Sequence, residues 1–357
     1  MSTPADVSTQ PVRERTDPQR PLRLGTRRSE LATTQSRWVA DRLTAATGRA
    51  VELVTVTTVG DTSRAALAEL GGTGVFVSAL RDALLAGEVD LAVHSLKDLP
   101  TAAAAGITLA AVPTREDPRD VVVARDGLTL GELPSGSLVG TGSPRRVAQL
   151  EALGLGVTVA GIRGNVDTRI GHVRSGKYDA IVLARAGLAR LGRVGEATEV
   201  LDPLQMLPAP GQGALAVECR SADEDLVALL GEALDDLRTR AAVACERTIL
   251  AELEAGCAAP VGALAEIVEG EDGEELWIRA VALSLDGGLS VRRSAAGDPA
   301  DPVGLGRALA AEMVADGAAR LLDGDGPAAQ ARNGAGTDST TAAQIHNDID
   351  TEIDTEK

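Results

Sequence analysis

Between a polar start and a polar end, short β-branched runs alternate along this chain with stretches of helical apolar spacing. That alternation predicts an α/β protein. "PLRLGTRRS" reads as a strand running into a loop, and a helix follows near 30–46, ending at Gly48. "VELVTVTTVGD" predicts the next strand, and "FVSALRDALLAG" an amphipathic helix closed by Gly87. "VDLAVHSLKDLP" predicts a buried strand that opens into a loop. A proline-containing crossing at 112–120, "VPTREDPRD", leads into a second α/β unit with "GSLVGTGSPRRVAQLEAL" and "YDAIVLARAGLARLG". A second crossing, rich in Pro and Gly, occupies 207–220. From about 238 the pattern changes to a long helix, a Gly-Cys loop, two or three strands including "LWIRAVALSLDG", and a final helix near 302–322. No internal repeat recurs at a fixed period.

The two ends carry too little large apolar surface to offset the entropy of ordering them. Residues 1–20 therefore read as a disordered extension and 324–357 as a disordered acidic tail ending in DIDTEIDTEK. The first twenty residues hold no apolar segment of the secretory kind, and no run of eighteen apolar residues occurs, so the expectation is a cytoplasmic protein with no membrane partner.

Composition adds three constraints. A chain of 357 residues exceeds one ordinary core, so two or three domains are expected. Apolar residues make up 44% but aromatics only 1%, which leaves the packing to aliphatic side chains and Ala. A net charge of -17 argues against nucleic acid, whose phosphates require a basic footprint. Lysine occurs only at 97, 177 and 357, and every other cation is Arg. An acidic, Lys-poor surface suits a salty cytoplasm, although a GC-rich genome also exchanges Lys for Arg. The three cysteines, Cys219, Cys245 and Cys257, form no CxxC pair, which suits a reducing compartment.

Several segments carry candidate chemistry. In "GTGSPRRVAQL" a strand ends at Val139, Thr141 and Ser143 stand where a helix is capped, Pro144 suits the first turn, and Arg145 and Arg146 follow it. Hydroxyls, free N–H groups and guanidinium groups converging there would make an anion site. Alone, the segment serves equally as a capped helix with solvated arginines. Further strand-end loops carry Arg27 and Arg28, Arg163 and Arg169, and Arg190. In an open α/β sheet such loops gather outside the carboxyl ends of the strands, which points to a polyanionic ligand. Each charge-assisted hydrogen bond contributes roughly 1.5–3 kcal/mol, so several hold a ligand with many carboxylates.

"HSLKDLP" sets Lys97 and Asp98 just past a buried strand. Asp98 could stabilise a developing cation and handle a proton, or simply pair with its neighbour. "LEAGCAAPVG" sets Cys257 on a loop of small residues, where a thiolate would be an accessible nucleophile; inertness is the alternative. Cys245 and Cys219 read as small buried groups, and His94 as an interior histidine. "GHVRSGKY" imitates a P-loop, but Tyr178 stands where Ser or Thr must reach Mg²⁺. Three dispersed histidines and three cysteines show no metal-ligand spacing.

In order and spacing, "LGTRRSELA", "VFVSAL", "DLAVHSLKDLP", "REDPRDV", "VGTGSPRRVAQL", "IRGNVDTR", "PAPGQGALAVECR" and "EAGCAAPVG" resemble the porphobilinogen deaminase (hydroxymethylbilane synthase) family over about 21–322. The resemblance implies two α/β lobes similar to those of periplasmic binding proteins and a smaller C-terminal α/β domain with an antiparallel sheet. It divides the chain into 21–113 with 214–233, 114–213, and 234–323. It implies a dipyrromethane cofactor on the sulfur of Cys257, and condensation of four porphobilinogen molecules with release of ammonia, then of hydroxymethylbilane by hydrolysis. Asp98 matches the catalytic carboxylate. Ser29, Lys97, Thr141, Ser143, Arg145 and Arg146 match cofactor- and substrate-binding positions, and Arg27, Arg163, Arg169 and Arg190 match arginines that hold acetate and propionate groups. Phe76 matches the aromatic residue of a mobile lid, "GGTGVF". Thr73 stands where the family often has Lys, and Val59 where it often has Arg. A monomer acting in haem, sirohaem and cobalamin biosynthesis is the implied outcome. A noncatalytic two-lobed anion-binding protein is the rival reading; it has no use for a third domain with a Cys loop.

Overall fold

The computed structural model describes residues 20–56, 74–256, 259–271 and 273–322, with backbone alone for 74–76, and sorts the strands into three sheets. In chain order these are β1 (Leu22–Thr26), β2 (Val51–Thr55), β3 (Leu91–Ser95) and β4 (Ile107–Ala111). Then come β5 (Asp120–Ala124), β6 (Leu138–Gly140), β7 (Thr158–Ala160), β8 (Ala180–Ala184) and β9 (Glu199–Val200). β10 (Leu215–Arg220) returns to the first sheet, and β11 (Val261–Gly270), β12 (Gly273–Leu283) and β13 (Ser290–Gly297) build the third.

The first sheet has the order β2-β1-β3-β10-β4 and the second β7-β6-β8-β5-β9. In each, three neighbouring strands are parallel, and one antiparallel strand sits beside them. That antiparallel strand is β10 in one lobe and β5 in the other, the first strand after each crossing. Two lobes of the same plan thus exchange chain twice. The run DVVVA of β5 is buried throughout, as expected of strands covered on both faces.

The crossings touch closely. Glu116 N donates to Gly213 O at 3.2 Å, and a Cβ on Gly213 would lie 2.3 Å from Glu116 O at a φ of +90°. Only glycine fits there. The helix predicted near 30–46 spans Glu30–Thr47, with Ser29 accepting from Ala32 N at 3.4 Å and Gly48 ending it at φ 71°.

In the third domain the Leu237–Glu252 and Pro302–Ala315 helices pack on the sheet around Ile249, Ala263, Ile278 and Met313. Val281 and Leu283 of that sheet meet Ala148 and Leu207, so the domain is also seated on the second lobe. The single helix expected near 302–322 is two, Pro302–Ala315 and Ala318–Leu322, because Gly317 at φ 93° breaks the run.

Buried carboxylates do much of the joining. Asp90 accepts from Arg23 N at 2.8 Å and from the Arg23 and Arg20 guanidinium groups at 2.9 Å. Burial would raise its pKa; the bonds from Arg23 and Arg20 outweigh that and hold it at about 2. No described helix is long and apolar enough to cross a membrane.

Candidate active site

The parallel strands of both lobes end on one cleft of about 680 Å³. From the first lobe, the loop after β1 brings Arg27 and Ser29, and the short turn after β3, Leu96–Asp98, brings Lys97 and Asp98. From the second lobe, the Pro144–Ala152 helix brings Arg146, the segment after β7 brings Arg163, the Val166–Arg174 helix brings Arg169, and the Arg185–Arg190 helix brings Arg190. Loops at strand ends converge this way because every parallel strand of a lobe points the same way.

The cleft is strongly cationic and partly dehydrated. Burial lowers the Lys97 ammonium to about 8, against the opposing pull of Asp98, and its Nζ donates to Gln212 Oε1 at 3.3 Å. Burial likewise lowers Arg190 to about 10, with Nη2 donating to Gly213 O at 2.6 Å. Arg169 is lowered by burial and by Arg146, and its Nε donates to Gly164 O at 2.8 Å. Several cations partly buried on the walls of one cleft mark it as a candidate binding site for anions. Asp98, on the same wall, accepts no hydrogen bond from any described residue, and Arg163 donates none. The loop carrying Asp98 is held from behind by Arg247 of the third domain, which donates to the carbonyls of Leu99 at 3.0 Å and Pro100 at 2.7 Å.

The "GTGSPRR" segment departs from its expected form. Ser143 is the N-cap residue of the Pro144–Ala152 helix, but its side chain makes no capping bond. Thr141 is buried, and its Oγ1 accepts from Ser143 N at 3.3 Å. Neither lines the cleft. Arg145, expected at the ligand, is turned inward: it donates to Leu207 O at 2.5 Å and to Asp120 Oδ2 at 2.7 Å. Arg146 shares that carboxylate, at 2.8 Å to Oδ1, yet reaches the cleft wall. The Nε atoms of both arginines are buried with no hydrogen-bond partner among the described residues. An unpartnered buried N–H on a cleft-lining guanidinium is what a carboxylated ligand satisfies.

The cleft is also lined by residues without a sequence signal, among them Glu30, Asn165 and Asp167, and Gln35 and Ser95, which are joined by a 3.1 Å hydrogen bond. A side compartment of about 190 Å³ opens beside Asp98, walled by Val77, Leu80, Val93 and His94. His94 is buried, with Nε2 3.3 Å from Glu218 Oε2 but not aligned as a hydrogen bond. Burial pushes the thiols of Cys219 and Cys245 up to about 12, so both are inert. Cys257 lies outside the described residues, as do Val59, Thr73 and the side chain of Phe76. Among the described residues no cluster of metal-ligating side chains exists.

Fold and cleft together define a two-lobed α/β protein with a cationic cleft between the lobes and a third domain bracing the loop that carries Asp98. Residues 22–228 match the family model described as porphobilinogen deaminase, dipyrromethane cofactor binding domain, and 240–315 match its C-terminal domain. The porphobilinogen deaminase of Mycobacterium tuberculosis (strain ATCC 25618 / H37Rv) is 60% identical over 308 residues, covering 85% of this chain and 99% of that one. Porphobilinogen deaminase 1 of Streptomyces coelicolor is 59% identical over 310 residues, covering 84% and 97%. Among solved structures, the methionine-binding protein MetQ aligns over 61% of this chain and 90% of its own at 14% identity and a TM-score of 0.39, too remote to add to the topology above. The chain belongs to the porphobilinogen deaminase family, transferases of tetrapyrrole biosynthesis.

Proposed function

We propose that this chain condenses four porphobilinogen molecules head to tail on a dipyrromethane primer carried by Cys257, and that hydrolysis then frees hydroxymethylbilane. The observation that carries the reading is the meeting, in one cleft, of Asp98 with arginines from both lobes. Every pyrrole of this chemistry brings two carboxylates, and the cleft supplies partly buried guanidinium groups to meet them, with Arg169 and Arg190 lowered by that burial.

The residues suit the group. Arg146, Arg163, Arg169 and Arg190 would hold acetate and propionate groups from the second lobe, and Arg27, Ser29 and Lys97 from the first. The bound dipyrromethane supplies a free pyrrole carbon as nucleophile. Asp98 would accept the pyrrole N–H, stabilise the cation left on the substrate when the C–N bond breaks and ammonia departs, and take up the proton released as the new C–C bond is completed. Arg247 keeps that carboxylate in place. Arg145 would help to fix Arg146 by sharing the Asp120 carboxylate with it. Phe76 and the residues before it would cover the cleft.

The same reading divides the chain into 21–113 with 214–233, 114–213 and 234–323, a division that the grouping of strands into three sheets supports, and includes a monomer working in the cytoplasm. Intact-protein mass spectrometry tests it. The native protein should outweigh its sequence by one dipyrromethane, and Cys257→Ser should lack both that mass and activity. A fully active Cys257→Ser protein would remove the covalent primer.

A further inference from the structure

Gln212 stands where the second crossing passes between the lobes, and it is buried. It does not line the cleft. Its Oε1 accepts from Lys97 in the first lobe at 3.3 Å. Its Nε2 donates to Asp120 Oδ1 at 2.8 Å and to Pro118 O at 2.6 Å in the second. Asp120, fully buried at the start of β5, passes the connection on, with Oδ1 to Arg146 at 2.8 Å and Oδ2 to Arg145 at 2.7 Å. Burial would raise the Asp120 carboxyl, but the two guanidinium groups hold it far below the ordinary range, so it stays ionised.

The result is one continuous polar strut, Lys97–Gln212–Asp120–Arg146. One end lies beside Asp98, and the other is a guanidinium on the opposite wall. Resting on the reading of the cleft given above, we propose that Gln212 and Asp120 are positioning residues for the condensation. They fix the spacing between the carboxylate-gripping Arg146 in one lobe and the reacting Asp98 in the other. The chemistry requires such a device, because the two halves of the site sit on separate sheets. A misplacement of about 1 Å between reacting groups costs roughly a hundredfold in rate. An amide suits the central position: it accepts from an ammonium at one end and donates to a carboxylate at the other, which neither Glu nor Lys does.

Gln212→Met keeps the volume and removes both contacts. The expected result is a protein that still carries the dipyrromethane mass, with kcat per cofactor-bearing molecule down about tenfold to a hundredfold and KM changed less than about threefold. Gln212→Glu keeps the acceptor for Lys97 but turns the donor toward Asp120 into a repelling charge, and it should be as impaired. Should Met not fold, Gln212→Asn carries the test, since it keeps the polarity but is one methylene too short to span both partners. In a double-variant cycle, the losses from Lys97→Met and Gln212→Met should not multiply, because both break the same strut. Wild-type kcat in the loaded Met or Asn variant overturns the proposal, even if its Tm falls, and so does wild-type kcat in Gln212→Glu. Multiplicative losses in the cycle also overturn it. A wild-type protein without the added mass overturns the cofactor reading itself, a failure distinct from these.

Discussion

Arg115 and Glu246 face each other as a bidentate pair, Nη1 to Oε1 at 2.6 Å and Nη2 to Oε2 at 3.0 Å, where both crossings meet the third domain. The same carboxylate accepts from Gly211 N of the second crossing at 2.6 Å and from Ala265 N of β11 at 2.8 Å. One fully buried side chain therefore joins the two connections between the lobes to the sheet beyond them. Replacing it by Ala leaves a buried guanidinium without its counterion and two backbone donors without an acceptor. Removing one partner of a buried pair costs about 3–5 kcal/mol. Urea unfolding of Glu246→Ala should show a loss of that order, whereas a loss below about 1 kcal/mol would mean that the joint relaxes onto water.

Asp98 contrasts with Glu246, since no described residue donates to it. Its carboxylate accepts no hydrogen bond from a described residue and acts only electrostatically on Lys97, so Asp98→Ala should lower Tm only slightly. It should also keep the dipyrromethane mass, because the attachment is assigned elsewhere. Turnover should fall by about 10² to 10⁴, the range for losing a positioned acid–base group. Near-native turnover in that variant would reject the catalytic assignment.

Much of the site was readable because it depends on strand ends. A buried strand such as LAVHS must stop at the edge of its sheet, so Lys97 and Asp98 had to emerge there, and the arginine loops likewise. Arg145 was not readable. Successive residues of a helix point about 100° apart, and nothing in "SPRR" tells which arginine meets the cleft and which turns inward to Asp120. Gln212 and Gln35 were equally silent, being uncharged and bonded to partners 60 or more residues away in the chain. Nothing in the sequence of the Leu237–Glu252 helix, where Glu246 stands among Arg238, Arg240 and Arg247, marks that carboxylate as buried. Its burial depends on Arg115, and only the fold brings the two together.

Lys97 gives the activity a basic limit. Its ammonium is lowered from 10.5 to about 8 by burial, so the lysine loses its charge as pH rises through about 8. If that charge helps hold carboxylates, activity should fall over the same interval. Between pH 8 and 10.5 the unfolded chain binds the proton more readily than the folded one, so this group makes stability rise with pH there. Activity and Tm should therefore part company above pH 8. Lys97→Arg, which keeps its charge throughout, should move the activity limb upward. An unchanged limb in Lys97→Arg would assign it to another group.

Salt should act in opposite directions on fold and cleft. With a net charge of -17 and three lysines, self-repulsion destabilises the compact state, and raising ionic strength shortens its reach from about 8 Å at physiological salt to about 3 Å at 1 M. Tm should rise with KCl over that range. Attraction between the cleft arginines and a carboxylated substrate is screened by the same ions, but less, because those arginines are partly buried. KM should therefore rise modestly while kcat holds and Tm climbs. Thermal melts and initial rates in parallel KCl series separate the two effects. Activity that is greatest without salt and collapses in molar KCl, with no gain in Tm, would show that the acidic surface is no adaptation to salt.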